Sequence, residues 1–324
     1  MALETLEFEA PIAVLLKEIE ALALLARTDA GDREIEALRR RLEIVRAGLY
    51  ASLTPWQRVL VARHPNRPGL EDFIARLFTG FVEIHGDRRF ADDHAIMTGF
   101  AEYHEQPVLL VGHVKGGDTK EKIYRNFGYA RPEGYRKALR AMRLAEKFRR
   151  PIVVFVDTPA AYPGIESEER GVAEAIAVNL RDMMVLDTAI VIIVSGEGGS
   201  GGALGIAVGD RVLMQEYAIY SVIPPEGCAA ILWRDASRKA EAAAALKLTA
   251  PDLLKAGIVD EIVPEPIGGA HTDPVAAARH VDLALTRVLG EIVALDSETR
   301  LDRRYEKFRH MGRLGIDFVD DGNQ

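Results

Sequence analysis

Three apolar runs in the middle of the chain, each followed by a helical pattern, constrain the fold most strongly. The runs cover Pro107–Val114, Pro151–Asp157 and Ala189–Ser195. Strands that are apolar on both faces suit a sheet covered by helices, and their alternation with helices is typical of α/β proteins. We therefore predict an α/β core, with covering helices over 134–150 and 168–186 and further strands over 211–223 and 259–263.

Helical segments flank this core on both sides. Apolar residues spaced three and four apart predict a helical hairpin within residues 12–49. Thr54-Pro-Trp-Gln57 places a cap threonine before proline and a glutamine three positions later, which starts another helix. Asp273-Pro274 begins a helix that runs through Leu295 and precedes a basic, partly helical tail over 300–312. We predict an N-terminal helical arm (1–70), a core (71–270) and a C-terminal helical segment (271–324).

Composition excludes several classes of function. Of the 324 residues, 48% are hydrophobic and 28% are charged, and the net charge of −8 offers no uniform basic surface for nucleic acid. The longest aliphatic stretch, near Ala189–Val194, is too short to cross a bilayer. The acidic start lacks the order of a secretory signal, so we expect a cytoplasmic protein. A lone Cys228 and scattered histidines predict no metal site.

The glycine-rich segment Gly196-Glu-Gly-Gly-Ser-Gly-Gly-Ala203 is the strongest candidate for chemistry. It follows a predicted strand and precedes the helix-compatible run 203–208. Backbone N–H groups at such a helix start can donate to a developing negative charge, as in an oxyanion hole. Gly201 and Gly202 are the preferred donors.

Two other interpretations of these glycines remain open at this point. Gly196, Gly198 and Gly201 satisfy the dinucleotide pattern Gly-x-Gly-x-x-Gly, and Glu216 could supply the later acid. The glycines could also serve only a tight strand-to-helix crossing. A Walker-type phosphate loop is excluded because no Gly-Lys-Ser or Gly-Lys-Thr follows.

A second candidate segment is Asp157-Thr-Pro-Ala-Ala-Tyr-Pro-Gly164, which follows the strand predicted to end at Asp157. Ligands of α/β sheets bind at the carboxyl ends of strands, and Tyr162 is the residue we expect to contact a substrate. The charged residues that follow, Glu166, Glu168, Glu169 and Arg170, are better explained as the charged first turn of a helix than as site residues.

Two further segments complete the set. Residues 115–137 concentrate positive charge in an acidic chain, which favours phosphate groups or an acidic partner, although a solvated helix face explains it as well. Tyr220–Trp233 turns the chain at Pro225-Glu-Gly227 and opens an apolar helix, whose main role is predicted to be packing near the site. The candidate contacts in the basic segment are Lys115, Lys120, Lys122 and Arg125.

Taken together, the four segments resemble the α subunit family of the acetyl-CoA carboxylase carboxyltransferase, in their order and separations. The resemblance extends over nearly the whole chain. Ala160 departs from the family, which typically has glycine there; a positive φ at this position would make the alanine costly. Further matching strings are Leu6–Ile12, Leu53–Trp56, Ala62–Pro65, His85–Arg88, Ala91–Ile96 and Pro264–His271.

The resemblance implies a crotonase-like fold of stacked ββα units, with the N-terminal helical arm and C-terminal helices added. It also implies a homologous β subunit that carries the zinc, in an α2β2 assembly whose active sites lie between α and β. The implied reaction transfers a carboxyl group from carboxybiotin, attached to the biotin carboxyl carrier protein, to acetyl-CoA. The product is malonyl-CoA for fatty acid biosynthesis, and biotin carboxylase completes the full complex.

The resemblance also assigns roles within the site. Gly201 and Gly202 would stabilise charge on the biotin ureido oxygen, and no covalently bound cofactor is expected in this chain. Alternatives are a carboxyltransferase for another acyl-CoA such as propionyl-CoA, a biotin-dependent decarboxylase subunit, a crotonase-type hydratase or isomerase, and a noncatalytic scaffold for the β subunit. The residues expected to line the biotin and substrate pocket are Gly198, Gly199, Ser200, Tyr162, Pro163 and Gly164.

Overall fold

The computed structural model describes residues 5–24 and 29–312, and its centre is one eight-stranded sheet. The ends of the predicted arm and C-terminal segment, and residues 25–28 within the predicted hairpin, lie outside the described residues. The predicted α/β core is confirmed. The strands are β1 (Thr79–Glu83), β2 (Ile96–Tyr103), β3 (Gln106–His113), β4 (Ile152–Thr158), β5 (Ile190–Gly199), β6 (Arg211–Gln215), β7 (Ile219–Ser221) and β8 (Glu261–Val263).

The sheet is antiparallel at one edge and parallel elsewhere. Its order is β1-β2-β3-β4-β5-β6-β8, with β1, β2 and β3 antiparallel and the remaining neighbours parallel. The central strand β5 pairs with β6 through Val191–Val194 and, further along, with β7 through Glu197–Gly199. The carboxyl ends of β3, β4 and β5 therefore meet at one edge of the sheet.

The single strand predicted over 211–223 is wrong, because the chain turns between β6 and β7. The N–H of Ala218 donates to the carbonyl of Gln215 at 3.0 Å, which closes the turn. Tyr217, at the turn, is buried and packs edge-on against Tyr50 with ring centroids 5.4 Å apart. Contact with the N-terminal helices thus compensates for the broken strand, and local β-propensity could not predict it.

Helices cover both faces of the sheet. Along β4, Ile152, Val154 and Val156 face one hydrophobic cluster with the helices over 132–147 and 172–183. Val153 and Phe155 face the other cluster with the helices over 70–77 and 274–293. Both faces of the sheet are buried along β4, as the apolar runs predicted. The helices are α1 (Ala10–Ala23), α2 (Asp29–Ala51), α3 (Pro55–Ala62), α4 (Leu70–Leu77), α5 (Thr119–Tyr124), α6 (Pro132–Lys147), α7 (Ile165–Glu169), α8 (Val172–Met183), α9 (Ser200–Leu204), α10 (Pro225–Trp233), α11 (Lys239–Leu246), α12 (Ala250–Lys255), α13 (Pro274–Val293) and α14 (Ser297–His310).

Helix boundaries follow local chemistry. The predicted capping box is confirmed, because Thr54 accepts from the N–H of Gln57 and the Gln57 side chain accepts from the N–H of Thr54. The predicted helix over 168–186 is wrong as one element. Gly171, with φ 77°, separates α7 from α8.

Helix α14 is attached to the core by a buried arginine. The Arg304 side chain is fully buried and donates to both carboxylate oxygens of Asp210, at 2.8 and 2.9 Å. It also donates to the carbonyls of Met183, Leu186 and Thr188. Because every hydrogen bond of the guanidinium goes to a sequence-distant acceptor, this one side chain connects α14, α8 and the start of β5.

Replacing Arg304 with methionine should lower the free energy of unfolding by about 3–5 kcal/mol, because Asp210 would keep a buried charge without its partner. Equilibrium urea unfolding measures this change. Arg303→Met, at the exposed neighbouring position, is the control and should change the value by less than about 0.5 kcal/mol. Equal effects of the two substitutions would contradict the assigned role of Arg304.

Candidate functional site

The glycine-rich segment forms the end of β5 and the start of α9. Gly196 and Gly198 lie within β5, which continues to Gly199, and α9 begins at Ser200. The expectation that the whole segment follows the strand is therefore wrong, and the helix ends at Leu204 instead of extending through 208. N–H groups in the first turn of a helix have no acceptor four residues earlier within the helix, so Gly201 and Gly202 remain suitable donors by position.

Close backbone contact explains why several of these positions carry glycine. A Cβ on Gly199 would lie 1.8 Å from the carbonyl oxygen of Pro159, and a Cβ on Gly202 would lie 2.3 Å from backbone atoms of Ala160 and Ala161. At Gly201 the nearest atom is a side-chain methyl of Ile176 at 3.7 Å, so this position has room. The start of α9 is thus fixed against the loop after β4 on one side and half-exposed on the other.

Ser200 is held in a backbone conformation that is unusual for its residue type. Its φ is 49°, in the left-handed region, where a residue with a Cβ pays roughly 1–2 kcal/mol. Strain of this kind is concentrated at functional sites. The sequence gives no signal for it, because serine between glycines is equally compatible with an ordinary turn.

Side chains of α6 and α8 form hydrogen bonds with backbone carbonyls in α9 and just after it. The hydroxyl of Tyr135 donates to the carbonyl of Gly202 at 3.2 Å. Asn179 donates to the carbonyls of Tyr135 at 3.0 Å and Gly205 at 2.8 Å. Both side chains are buried, so the orientation of the α9 peptide groups is set by groups that water does not reach.

The loop after β4 accommodates Ala160 without strain. Ala160 is not among the described residues that have positive φ, so the substitution of the family's usual glycine imposes no left-handed backbone here. The hydroxyl of Thr158 lies 2.7 Å from the carbonyl of Gly128 and 2.9 Å from that of Ala160, which fixes the loop. The loss of stability expected for an alanine with positive φ therefore does not apply to Ala160.

The other predicted residues of this loop, Tyr162, Pro163 and Gly164, all retain some contact with solvent. Tyr162 is half-buried, its N–H donates to the carbonyl of Ala130 at 2.9 Å, and the guanidinium of Arg131 lies 4.8 Å from its ring centroid. Pro163 is exposed, and a Cβ on Gly164 would meet the Tyr162 ring at 2.4 Å. Tyr162 is thus oriented by a cation on one side and by Gly164 on the other.

A partly buried chain of alternating charges includes Glu197 of the glycine segment. The ammonium of Lys115 lies 2.6 Å from Asp157 and 2.7 Å from Glu197. Arg63 joins Glu197 to Glu226, at 2.6 Å in both cases. The residues come from α3, α10 and the ends of β3, β4 and β5. Sequence analysis missed this network, because its members are far apart in the chain.

The network shifts the pKa values of Glu197 and Lys115 toward their charged forms. Burial raises the pKa of Glu197, but the charges of Lys115 and Arg63 outweigh it and hold the pKa below its usual value. Burial likewise opposes the charge of Lys115, yet Asp157 and Glu197 hold its pKa above the usual value. Both groups are therefore ionised at neutral pH, and the strand ends are connected electrostatically.

The predicted basic segment does not form one continuous cationic surface. Lys115 is neutralised by two carboxylates, and Arg125 pairs with Glu71 at 2.7 Å. Lys120 is exposed and Lys122 is half-buried on α5. Of the four residues, Lys120 and Lys122 are the two that take no part in these ion pairs. A contact of the four residues with phosphate or a carrier protein stays a prediction.

A largely apolar cavity of about 230 Å³ opens beside Ser200 and Gly201. Leu204 and Val222 stand at its edge with 43% and 74% of their surface exposed. The helix α14 contributes Phe308 to the same cavity, although it is a hundred residues away in the chain. No local motif marks Val222 or Phe308 as functional, so sequence reasoning did not find them.

The dinucleotide interpretation loses its geometric basis. Gly196 and Gly198 lie inside a paired strand, where added Cβ atoms would meet Asp157 at 2.3 Å and Tyr220 at 2.6 Å. They do not form the tight phosphate-binding turn that the fingerprint requires. Glu216 accepts from the N–H of Glu265 at 3.2 Å and lies beyond β6. The glycines instead allow β5 to pack against its neighbours.

Among residues 5–24 and 29–312, no group of three or more histidine, cysteine, aspartate or glutamate side chains is arranged to hold a metal ion. Over the same residues, no helix has the length and apolarity needed to cross a membrane.

Solved structures show which fold this chain shares. Transcarboxylase 12S superimposes with a TM-score of 0.55 at 20% identity, over 68% of this chain and 42% of that chain. A Pseudomonas malonate decarboxylase heterotetramer superimposes with a TM-score of 0.54 at 18% identity, over 68% of this chain and 90% of that chain. The predicted crotonase-like fold, that of biotin-dependent carboxyltransferases, is confirmed.

Sequence comparison identifies the family. The profile described as "Acetyl co-enzyme A carboxylase carboxyltransferase-like" matches residues 5–312. The acetyl-coenzyme A carboxylase carboxyl transferase subunit alpha of Geobacter metallireducens is 56% identical over 95% of this chain and 98% of its own length. The protein of the same name from a Geobacillus species is 54% identical over 96% of both chains. This chain belongs to the acetyl-CoA carboxylase carboxyltransferase α subunit family.

His113, at the end of β3, should make the stability of the protein sensitive to acid. It is buried, and its ring has no close hydrogen bond within the described residues; a weak contact with the backbone of Gly202 favours the protonated form less than burial disfavours it. Burial lowers the pKa of His113 from 6.5 to about 3, and the charge of Lys115 adds to this effect. As pH falls below 6.5, the unfolded chain therefore takes up a proton that the folded chain does not.

Between pH 6 and 4, His113→Gln should lose less stability than the wild-type protein, by about 1.4 kcal/mol per pH unit. Urea unfolding at a series of pH values measures the difference in slope. His310→Gln, at an exposed position, is the control and should keep the wild-type slope. Parallel pH profiles for His113→Gln and wild type would refute a neutral His113 in the folded state.

Proposed function

We propose that this chain transfers a carboxyl group from carboxybiotin, carried on the biotin carboxyl carrier protein, to acetyl-CoA as the α subunit of a carboxyltransferase. The product is malonyl-CoA, the precursor for fatty acid biosynthesis. The single observation that carries the proposal is the start of α9: half-exposed Gly201 lies beside an apolar cavity, and the next residue, Gly202, is packed against the backbone of the loop after β4. The family membership supports the same activity.

The proposed reaction needs hydrogen-bond donors for a developing negative charge, and it needs no nucleophilic side chain. Departure of the carboxyl group leaves negative charge on the ureido oxygen of biotin, and preorganised N–H groups stabilise such charge. The N–H groups of Gly201 and Gly202 supply these donors. Tyr135 and Asn179 hold the peptide groups of α9 in place, so that little reorganisation accompanies the reaction. The biotin freed of its carboxyl group accepts the proton of acetyl-CoA.

The apolar cavity supports the assignment of the biotin side to this chain. Leu204, Tyr220 and Phe308 provide apolar surface next to Ser200 and Gly201. A hydrocarbon chain gains about 25 cal/mol for each Å² of surface that it buries there. Gly198, Gly199 and the loop from Tyr162 to Gly164 form the neighbouring polar boundary in this proposal.

We propose that a β subunit completes the site and carries the zinc. Val222 and Leu204 expose large apolar surface at the edge of the cavity, and exposed apolar groups of this kind mark contact sites. The thioester oxygen of acetyl-CoA would be stabilised by the β subunit, and biotin carboxylase would regenerate carboxybiotin. An α2β2 assembly in the cytoplasm accounts for this division of roles.

The purified chain should be inactive alone and active with its β subunit in malonyl-CoA-dependent carboxylation of biocytin. In the mixture, Gly202→Ala should reduce the rate by roughly 10²–10³-fold, because the added Cβ meets the backbone of Ala160 and Ala161 and displaces a donor. Gly201→Ala is the matched control. It keeps its N–H and has 3.7 Å of clearance, so most activity should remain.

Activity of the chain alone would refute the two-subunit proposal. Full activity of Gly202→Ala would refute the oxyanion assignment while leaving the overall reaction intact. Propionyl-CoA or a decarboxylation assay, run in parallel, distinguishes the other carboxyl-group chemistries of this fold.

Val222→Asp should weaken association with the β subunit about tenfold, because it places a charge on an apolar contact. Isothermal titration of the chain with the β subunit measures the dissociation constant. Val82→Asp is the control: Val82 is 68% exposed, comparable to Val222 at 74%, but lies on the edge strand β1. Equal weakening by both substitutions would contradict a contact surface centred on Val222.

A further inference from the structure

A second cavity, of about 480 Å³, lies between α6, α8 and the loop that follows β1. Five arginines line it, against only two carboxylates, Asp87 and Glu174. This concentration of positive charge stands out in a chain whose net charge is −8. We call it the arginine pocket; its arginines are Arg89, Arg136, Arg140, Arg143 and Arg181.

Three of the arginines are engaged with carboxylates of the protein. Arg136 pairs with Asp87 at 2.8 Å and also contacts Glu133. Arg143 and Arg181 share the single carboxylate of Asp182. One negative charge thus serves two guanidinium groups, and the exposed Arg143 and Arg181 side chains retain part of their charge toward solvent.

The other two arginines form no ion pair within the part of the chain that the structure describes. Arg140 donates only to carbonyls, at 3.0 Å to His85 and 2.9 Å to Gly86, which fix its direction. Burial lowers the pKa of Arg140, and the charge of Arg88 lowers it further. Arg89 is exposed on the same loop. The pocket therefore combines Arg140, whose direction is fixed by hydrogen bonds, with Arg89, whose side chain is exposed.

The pocket also offers features that a simple cationic surface lacks. Leu139, Ala175 and Val178 provide apolar lining beside the guanidinium groups. Asn179 is 1% exposed and donates its amide protons to the backbone, and its Oδ1 has no donor among the described residues. A ligand that combines anionic groups, a hydroxyl and an apolar portion would match this lining.

We propose that the arginine pocket binds a small organic diphosphate, such as a nucleoside diphosphate. Guanidinium groups bind phosphate oxygens through paired hydrogen bonds, and the volume lies within the range of small-molecule sites. None of the lining residues belongs to the cavity beside Gly201. The pocket is thus distinct from the apolar cavity, although Asn179 also supports α9, and the existence of the pocket does not depend on the proposed function.

Isothermal titration of the full chain, co-purified with its β subunit, tests the proposal with ADP and with inorganic pyrophosphate as probes. Both should bind, and raising the salt concentration should weaken both. Arg89→Gln and Arg140→Gln should each weaken ADP binding about tenfold, because each removes one charged hydrogen-bond donor. Arg89 is exposed, so its substitution leaves the fold intact even if Arg140→Gln disturbs the loop.

Arg287→Gln is the matched control, because it removes the same charge from α13 on the opposite face of the sheet. It should leave ADP binding unchanged. The proposal is overturned if ADP does not bind at millimolar concentration, if ADP binds but pyrophosphate does not, or if Arg287→Gln weakens binding as much as Arg89→Gln. Binding that appears in the isolated chain but is lost with the β subunit would show a partner contact instead, and would also overturn it.

Discussion

The contact between the start of α9 and the loop after β4 is the constraint on which the site depends. The carbonyl of Pro159 and the backbone of Ala160 and Ala161 occupy the space that side chains at 199 and 202 would need. Only glycine permits this approach, and it brings the ends of β4 and β5 together. The peptide groups at the start of α9 are therefore positioned by backbone packing, which is stiffer than any arrangement of flexible side chains.

The buried charges beneath this contact extend its effect across the sheet. Lys115 connects the end of β3 to Asp157 and Glu197 at the ends of β4 and β5, and Arg63 connects them to α3. Breaking a buried pair of this kind costs several kcal/mol, because the remaining partner keeps an uncompensated charge. The network and the glycine contact thus fix the same strand ends by two independent means.

Much of the core was predictable because its elements obey local rules. The apolar runs of β3, β4 and β5 and the Thr54 capping box each carry a short-range signal, and each was confirmed. The strand predicted over 211–223 and the helix predicted over 168–186 failed for opposite reasons. Burial of Tyr217 against Tyr50 breaks the first, which is a tertiary effect, whereas Gly171 breaks the second through its own left-handed backbone.

The sequence by itself determined the alternation of strands and helices, the glycine segment and the family, because these depend on residue type and spacing along the chain. The tertiary structure removed the basis for a nucleotide loop, since only the strand assignment and its pairing show that Gly196 and Gly198 lie inside β5. It also determined which cationic side chains form ion pairs within the protein. Lys115 is ion-paired with carboxylates that are distant in the chain, whereas Arg140 donates only to backbone carbonyls, and ion pairing depends on distances in space that spacing along a sequence does not encode.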